Sequence, residues 1–176
     1  KTLSDWGVGA DTQVVVYDAS GGLMAASRVW WMLRWAGHDA VAVLDGGWTS
    51  WTKEGRPVSS DAVQRQPTEF PLNERPQLFA SLEDVDRVRL DPAWAVFDSR
   101  SKEGFHGGGV YHDPVRGHIP GARLANRADT LDANGHFRTP EELRAHYLGL
   151  LGDVPSSQTI FYCGSGVTAA QNLVAL

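Results

Sequence analysis

The sequence predicts an α/β fold of two related units, each a parallel sheet flanked by helices, and three observations carry that prediction. A β-run, a small-residue loop and a helix follow one another twice, over Val14–Ala26 and over Ile160–Ala170. That order is the mark of a parallel α/β unit. The two stretches also overlay residue by residue, with Tyr17 on Tyr162, Asp18 on Cys163, Ser20 on Ser165 and Gly21 on Gly166, which points to an internal duplication. Between them, Gly55–Pro76 carries Pro57, Pro67, Pro71 and Pro76 among polar residues with no helical or strand period, and reads as a linker. The expected division is therefore 1–56 for one half-unit, 57–77 for the linker and 78–176 for the second unit.

Each element follows from its local chemistry. The helix Ala25–Ala36 is closed by Gly37, and a short strand Ala40–Leu44 leads to Asp45-Gly46-Gly47-Trp48-Thr49-Ser50-Trp51. Trp30, Trp31 and Trp35 stand at helical spacing and read as packing rather than a binding platform. In the second unit Ser81-Leu82-Glu83-Asp84 caps a helix running to about Leu90. Ala93–Phe97 is a buried strand ending at Asp98-Ser99-Arg100, and the turn Gly117–Ala122 leads into an extended stretch, Arg123–Asn126. Thr139-Pro140-Glu141-Glu142 has the cap, the N1 proline and the N3 glutamate of a capping box, opening a helix through about Leu151. Little precedes the first copy, and the second stops at Leu176 within its helix. Both units thus read as incomplete in this chain, and since unpaired strand edges are a liability, further residues or another chain are expected to complete the sheets.

Composition narrows the function. Of 176 residues 42% are hydrophobic and 21% charged, with a net charge of −5 and no basic cluster, which argues against a nucleic-acid partner. No apolar run reaches membrane-spanning length and no signal peptide opens the sequence, so no membrane partner is expected. A single cysteine makes no internal disulfide, and a cytoplasmic setting is expected. The six histidines are scattered without ligand spacing, so no metal site is predicted. Glycines 107–109 open no helix and do not form a phosphate loop. His106, His112 and His136 receive no role, and His118 reads as a hydrogen-bonded structural residue.

Cys163, the lone cysteine, ends the apolar run Thr159–Tyr162 and precedes Gly164-Ser165-Gly166-Val167-Thr168 and a helix. A strand passing through a small-residue loop into a helix aims successive N–H groups, and the positive end of the helix dipole, at one point. A thiolate placed there is stabilised, so Cys163 is predicted to be acidic and nucleophilic, with Gly164, Gly166, Val167 and Thr168 forming the cradle. A cysteine phosphatase would need an arginine six residues after the cysteine to hold phosphoryl oxygens; Ala169 stands there.

Asp98-Ser99-Arg100, Gly117-His118-Ile119-Pro120-Gly121-Ala122 and Tyr162-Cys163-Gly164-Ser165-Gly166-Val167-Thr168-Ala169, with Leu44–Trp51 as a domain end, together resemble the rhodanese family of sulfurtransferases in its tandem two-domain form. The resemblance covers nearly the whole chain apart from the linker. It implies an inactive first domain, in keeping with Asp18 at the cysteine position, and a catalytic second one. It implies a ping-pong reaction in which Cys163 takes sulfur from a small donor as a persulfide and hands it to a thiol, a reduced dithiol protein or cyanide, with no cofactor. The loop is similar to that of mercaptopyruvate-using members; thiosulfate-preferring ones carry Arg and Lys after the cysteine. Thiosulfate is a dianion helped by such cations, whereas mercaptopyruvate expels an enolate that needs a proton, for which Ser165 offers a hydroxyl. The family implies that this serine works with an acid and a histidine from positions that would precede Lys1.

The substrate end departs from the family pattern. Gly104 occupies a position where such members carry an arginine for the donor carboxylate. Arg100, Lys102 and Arg116 are the remaining candidates, with Arg100 alone resting on a motif match, and the resemblance implies for it a structural tie to the preceding acid. The alternative reading is a non-catalytic rhodanese-like binding module that retains the cysteine.

Overall fold

A computed structural model of the chain describes residues 1–21, 23–109 and 115–176. It divides into two units, Lys1–Phe79 and Ala80–Leu176. The first unit holds helix α1 (Thr2–Asp5), strand β1 (Val14–Val16), helix α2 (Ala25–Trp35), strand β2 (Val41–Val43) and helix α3 (Gly47–Lys53). The two strands pair in parallel, Val14 opposite Val41 and Val16 opposite Val43, with α2 as the crossover that parallel pairing requires. Helix α2 buries Ala26, Ser27 and Leu33. Gly37 leaves that helix at φ +91°, and a Cβ there would stand 2.5 Å from the Asn73 carbonyl oxygen, so glycine alone fits.

That close approach belongs to the proline-bearing segment read as a linker. Residues 56–75 form no helix or strand, yet they pack on the first unit. The Thr68 N–H donates to the Ser4 carbonyl at 3.0 Å, Asn73 to Ala36 at 3.0 Å and Arg75 to Trp35 at 2.8 Å. The last two bonds satisfy carbonyls that the end of α2 leaves open. The Arg75 guanidinium then grips Asp39 at 2.7 and 2.6 Å.

The second unit holds α4 (Leu82–Val88), β3 (Ala95–Asp98), α5 (Lys102–Phe105), β4 (Arg123–Leu124), α6 (Pro140–Leu151), β5 (Thr159–Tyr162) and α7 (Val167–Ala175). Its sheet runs β4-β3-β5, all parallel. Strand β3 is central and buried along its whole length, as expected of a parallel strand covered on both faces. Ala95 and Phe97 pack with Ala125, Tyr147 and Leu151, while Val96 packs with Val88 and Ala122. Capping boxes form at Ser81 and at Thr139, as their sequences predict. Strand β3 starts two residues later than expected, because Asp91 turns the chain: its carbonyl accepts the Trp94 N–H at 3.0 Å and its carboxylate the Ala93 N–H at 2.9 Å.

Register places the site. Asp98 pairs with Tyr162, so the Asp98-Ser99-Arg100 turn and the cysteine loop leave the sheet side by side at its carboxyl edge, where open parallel sheets gather their sites. The two repeat copies separate in the loop itself. Helix α7 begins at Val167, four residues past Cys163, whereas α2 begins at Ala25, seven past Asp18. The gapless overlay therefore holds through the strand and fails at the helix start; Gly22, within the first loop, lies outside the described residues.

Candidate active site

The loop after β5 wraps the Cys163 sulfur. Gly166 sits at φ +78° as the residue before α7, a left-handed conformation that side chains resist, and this turn aims the loop amides inward. The Gly166 N–H donates to Sγ at 3.0 Å. The Thr168 hydroxyl and the Ala169 and Ser165 amides act with it to lower the thiol's pKa. Helix α7 has no side-chain cap at Gly166, so the sulfur takes the place of a capping acceptor for an otherwise orphaned first-turn amide. Cys163 is partly buried. Burial pushes its thiol up, but these polar groups together outweigh burial and hold it below the ordinary thiol value.

Behind the loop, each residue of Asp98-Ser99-Arg100 has a separate task. Asp98 is fully buried; its carboxylate accepts the Arg100 amide at 3.0 Å and the Arg100 guanidinium from Nε at 3.0 Å to both oxygens. The same guanidinium donates to the Gly117 carbonyl at 2.6 Å, tying the Gly117–Ala122 turn to the sheet edge. Ser99 spans both flanks of the cysteine loop: its N–H donates to the Tyr162 carbonyl at 2.8 Å, and its Oγ accepts from Asn172 of α7 at 2.8 Å. The Tyr162 hydroxyl accepts the Ile119 N–H at 3.0 Å, and burial pushes that phenol up to about 12. Helix α7 is anchored further by buried Gln171, which donates to the Arg127 carbonyl at 3.1 Å and to the Thr130 hydroxyl at 2.9 Å. Fully satisfied buried networks of this kind hold one geometry.

In front of the sulfur lies a cavity of about 250 Å³, walled by Cys163, Tyr162, Arg100, Arg116, His118 and Ile119, with Gly164 at its edge. Of the candidate cations, Arg100 and Arg116 line it. Arg100 spends its donors on Asp98 and Gly117, whose bonds orient it as part of the wall. Lys102 opens the short helix α5 and is exposed. Gly104 lies on the same helix, where an added Cβ would meet the Arg100 Cβ at 3.4 Å.

A model of the rhodanese-like domain matches residues 2–54 and 81–176. The chain belongs to the rhodanese family. This rhodanese-like chain is 38% identical over 175 residues to a probable 3-mercaptopyruvate sulfurtransferase of Pseudomonas aeruginosa, covering 99% of the chain and 61% of that relative. It is 36% identical to the thiosulfate sulfurtransferase of Mus musculus, covering 98% of the chain and 59% of that protein. The crystal structure of the 3-mercaptopyruvate sulfurtransferase SseA from Escherichia coli superimposes with a TM-score of 0.79 at 31% identity, over 99% of the chain and 65% of that structure. The chain thus spans about three fifths of the length of these relatives.

Of the residues that the sequence singled out, the structure brings Cys163, Ser165, Gly166 and Thr168 together with Arg100 and Arg116 near one cavity. Details differ from expectation. Among the described residues the Gly166 N–H is the hydrogen-bond donor to the sulfur, with the Ser165 and Ala169 amides and the Thr168 hydroxyl also lowering its pKa; Gly164 lines the cavity instead and Val167 opens the helix. Ala169 lay one residue beyond the expected cradle, since it is the third residue of the helix whose amide still points back at the loop. Ser165 is exposed and reaches the sulfur through its main chain. The roles of Ser99, Tyr162, Gln171 and Asn172 escaped sequence reasoning, because a polar pair in a short apolar helix carries no pattern that names its partners. His112, given no role, lies outside the described residues.

Proposed function

We propose that the second unit carries the catalytic site of a sulfurtransferase that moves sulfane sulfur through a Cys163 persulfide, with 3-mercaptopyruvate favoured over thiosulfate as donor. The observation that carries this reading is a partly buried sulfur that accepts the Gly166 N–H, has its pKa lowered by the loop's polar groups, and lines a cavity with Arg100 and Arg116. Such groups stabilise the thiolate before attack and the persulfide after it, in a place where water competes poorly. The Cys163 thiolate attacks the donor sulfur, and a second nucleophile (a small thiol, a reduced dithiol protein, or cyanide in an assay) removes the outer sulfur in a separate step. The chemistry requires no metal or organic cofactor, and a reducing cytoplasm suits a working thiol.

The donor preference rests on charge. Gly164 and Ser165 put no cation beside the sulfur, where a dianion such as thiosulfate would be helped most. Arg116 and Arg100 line the cavity that Cys163 also lines, and are the cations that would take a donor carboxylate. The Ser165 hydroxyl is assigned to hydrogen bonding with the departing enolate. After treatment with donor, mass spectrometry of the chain is expected to show one added sulfur on Cys163, and Cys163→Ser is expected to take up none. Donor consumption with an unmodified thiol would overturn the persulfide, and the absence of any donor consumption would leave the binding-module reading in its place. Comparison of kcat/KM for the two donors tests the preference; equal or reversed values would remove the charge argument.

A further inference from the structure

We propose that Tyr162 is a positioning residue that holds Arg116 in a fixed place relative to Cys163, so that one donor molecule meets the cation and the thiolate together. The inference rests on the sulfurtransferase reading above. Tyr162 ends β5 and is joined directly to Cys163. Its ring packs against the buried cluster of Val88, Val96 and Ala122, and its hydroxyl accepts the Ile119 N–H at 3.0 Å. One side chain thus ties the segment that carries the sulfur to the turn that follows Arg116. Burial, helped by the Asp98 carboxylate, pushes the phenol up to about 12. The hydroxyl therefore keeps its proton, and the tie its form, across the range in which a thiolate works.

The turn is pinned at three successive residues, and Arg116 stands directly before them. The Gly117 carbonyl accepts from Arg100 at 2.6 Å. His118 Nδ1 lies 2.9 Å from the Phe105 carbonyl oxygen, with its ring stacked on the Phe105 ring. The Ile119 N–H goes to Tyr162. Of these three ties, the third runs to the strand that bears the cysteine. Gly107 packs against the base of the arginine: at φ +88°, a Cβ there would stand 3.5 Å from the Arg116 Cβ and 3.4 Å from the Gly117 nitrogen. Both cations line the cavity, but they are held differently. Arg100 is fixed by Asp98 within its own strand end, whereas the place of Arg116 depends on the turn. A donor that binds by its carboxylate and reacts at its sulfur needs a constant spacing between the two groups that meet it. If the turn were loose, each binding event would have to order it, and that entropy would be subtracted from affinity. The loop amides around the sulfur lie outside this tie.

Persulfide formation on Cys163 is followed in single turnovers by mass spectrometry, over a range of mercaptopyruvate concentrations. The proteins compared are the unaltered chain, Tyr162→Phe, Arg116→Ala and the double variant. Tyr162→Phe keeps the packed ring and loses the hydroxyl. Its KM is expected to rise about tenfold, while the rate at saturating donor falls no more than about twofold. In the Arg116→Ala background the same substitution is expected to raise KM no further, because residues that act through one another are not additive. Additive effects on KM would make Tyr162 a packing residue and overturn the assignment, as would a fall in the saturating rate with KM unchanged. Amide hydrogen exchange of the peptide containing Ile119 is the second measurement and needs no turnover. Faster exchange is expected in Tyr162→Phe, and an unchanged rate would overturn the tie. Failure of the unaltered chain to gain sulfur from mercaptopyruvate would instead overturn the reading above, and the role of Tyr162 with it.

Discussion

The first unit meets the need at the start of α2 with a carboxylate, and the second meets the same need at α7 with a thiol. Asp18 accepts the Ser20 N–H at 2.8 Å, the Met24 N–H at 3.1 Å and the Ala26 N–H at 3.0 Å. Cys163 accepts the Gly166 N–H at 3.0 Å, and the Ser165 and Ala169 amides and the Thr168 hydroxyl help to lower its pKa. In neither case does the residue just before the helix supply a cap of its own, at Met24 or at Gly166. Both helices therefore turn to a residue just past the preceding strand for an acceptor, and the dipole favours an anion there. A carboxylate is such an anion without further cost, and the first cradle closes around it. A thiol becomes one only by losing its proton, so the same geometry that caps a helix in one unit creates a nucleophile in the other. One demand of the backbone yields a structural element or a reactive one, according to the acid placed before the loop.

Four substitutions break or sharpen that comparison. Cys163→Asp should convert the second loop to the chemistry of the first: persulfide formation falls by about a thousandfold or more, while the melting temperature is unchanged or raised, read by mass spectrometry and thermal denaturation. Gly166→Ala forces a side chain into the left-handed region at φ +78° and should cost about 1–2 kcal/mol of stability, with slower persulfide formation because the loop amides turn off the sulfur. Thr168→Val removes one donor and should weaken the thiolate about tenfold, or ~1.4 kcal/mol. Since the folded thiol lies below its ordinary value, the stability it contributes is present above the unfolded thiol's pKa and is lost as pH falls through the folded one. Thr168→Val should therefore move the thiol titration, followed by ultraviolet absorbance, toward higher pH and narrow that window; a titration that does not move would show that the hydroxyl is not a donor. Asp18→Ala should lower the melting temperature by the loss of about 1 kcal/mol of capping and leave the persulfide rate untouched. A fall in that rate would contradict the separation of roles between the two loops.

Much of the second unit was legible because its signals are local. The capping boxes at Ser81 and Thr139, the apolar run of β5 and the glycines around Ser165 each act within a few residues, and each forms the element its chemistry predicts. The first loop was legible only in part. Its overlay with the second correctly set Asp18 against Cys163, but a helix start depends on which amide finds an acceptor, and the carboxylate's longer reach lets α2 begin three residues later. The segment 57–77 reads as a linker because no period marks it, yet its Asn73 and Arg75 amides find the open carbonyls at the end of α2, a partnership that sequence spacing does not encode. The role of Arg100 divides in the same way: its place beside Asp98 is local, while its bond to Gly117 exists only because β3 and the following turn meet at the sheet edge.

The order of residues by itself determined the α/β class, the duplicated strand–loop–helix and an acidic cysteine at the second loop, since amide direction and helix polarity act over a handful of positions. Tertiary structure decided what surrounds that cysteine: the wall that Arg100, Arg116 and His118 build with Tyr162, and the buried Ser99, Gln171 and Asn172 that hold α7 in place. Those groups come together through strand register and burial, where an unpaired polar atom is costly, and that cost selects partners far apart in the chain.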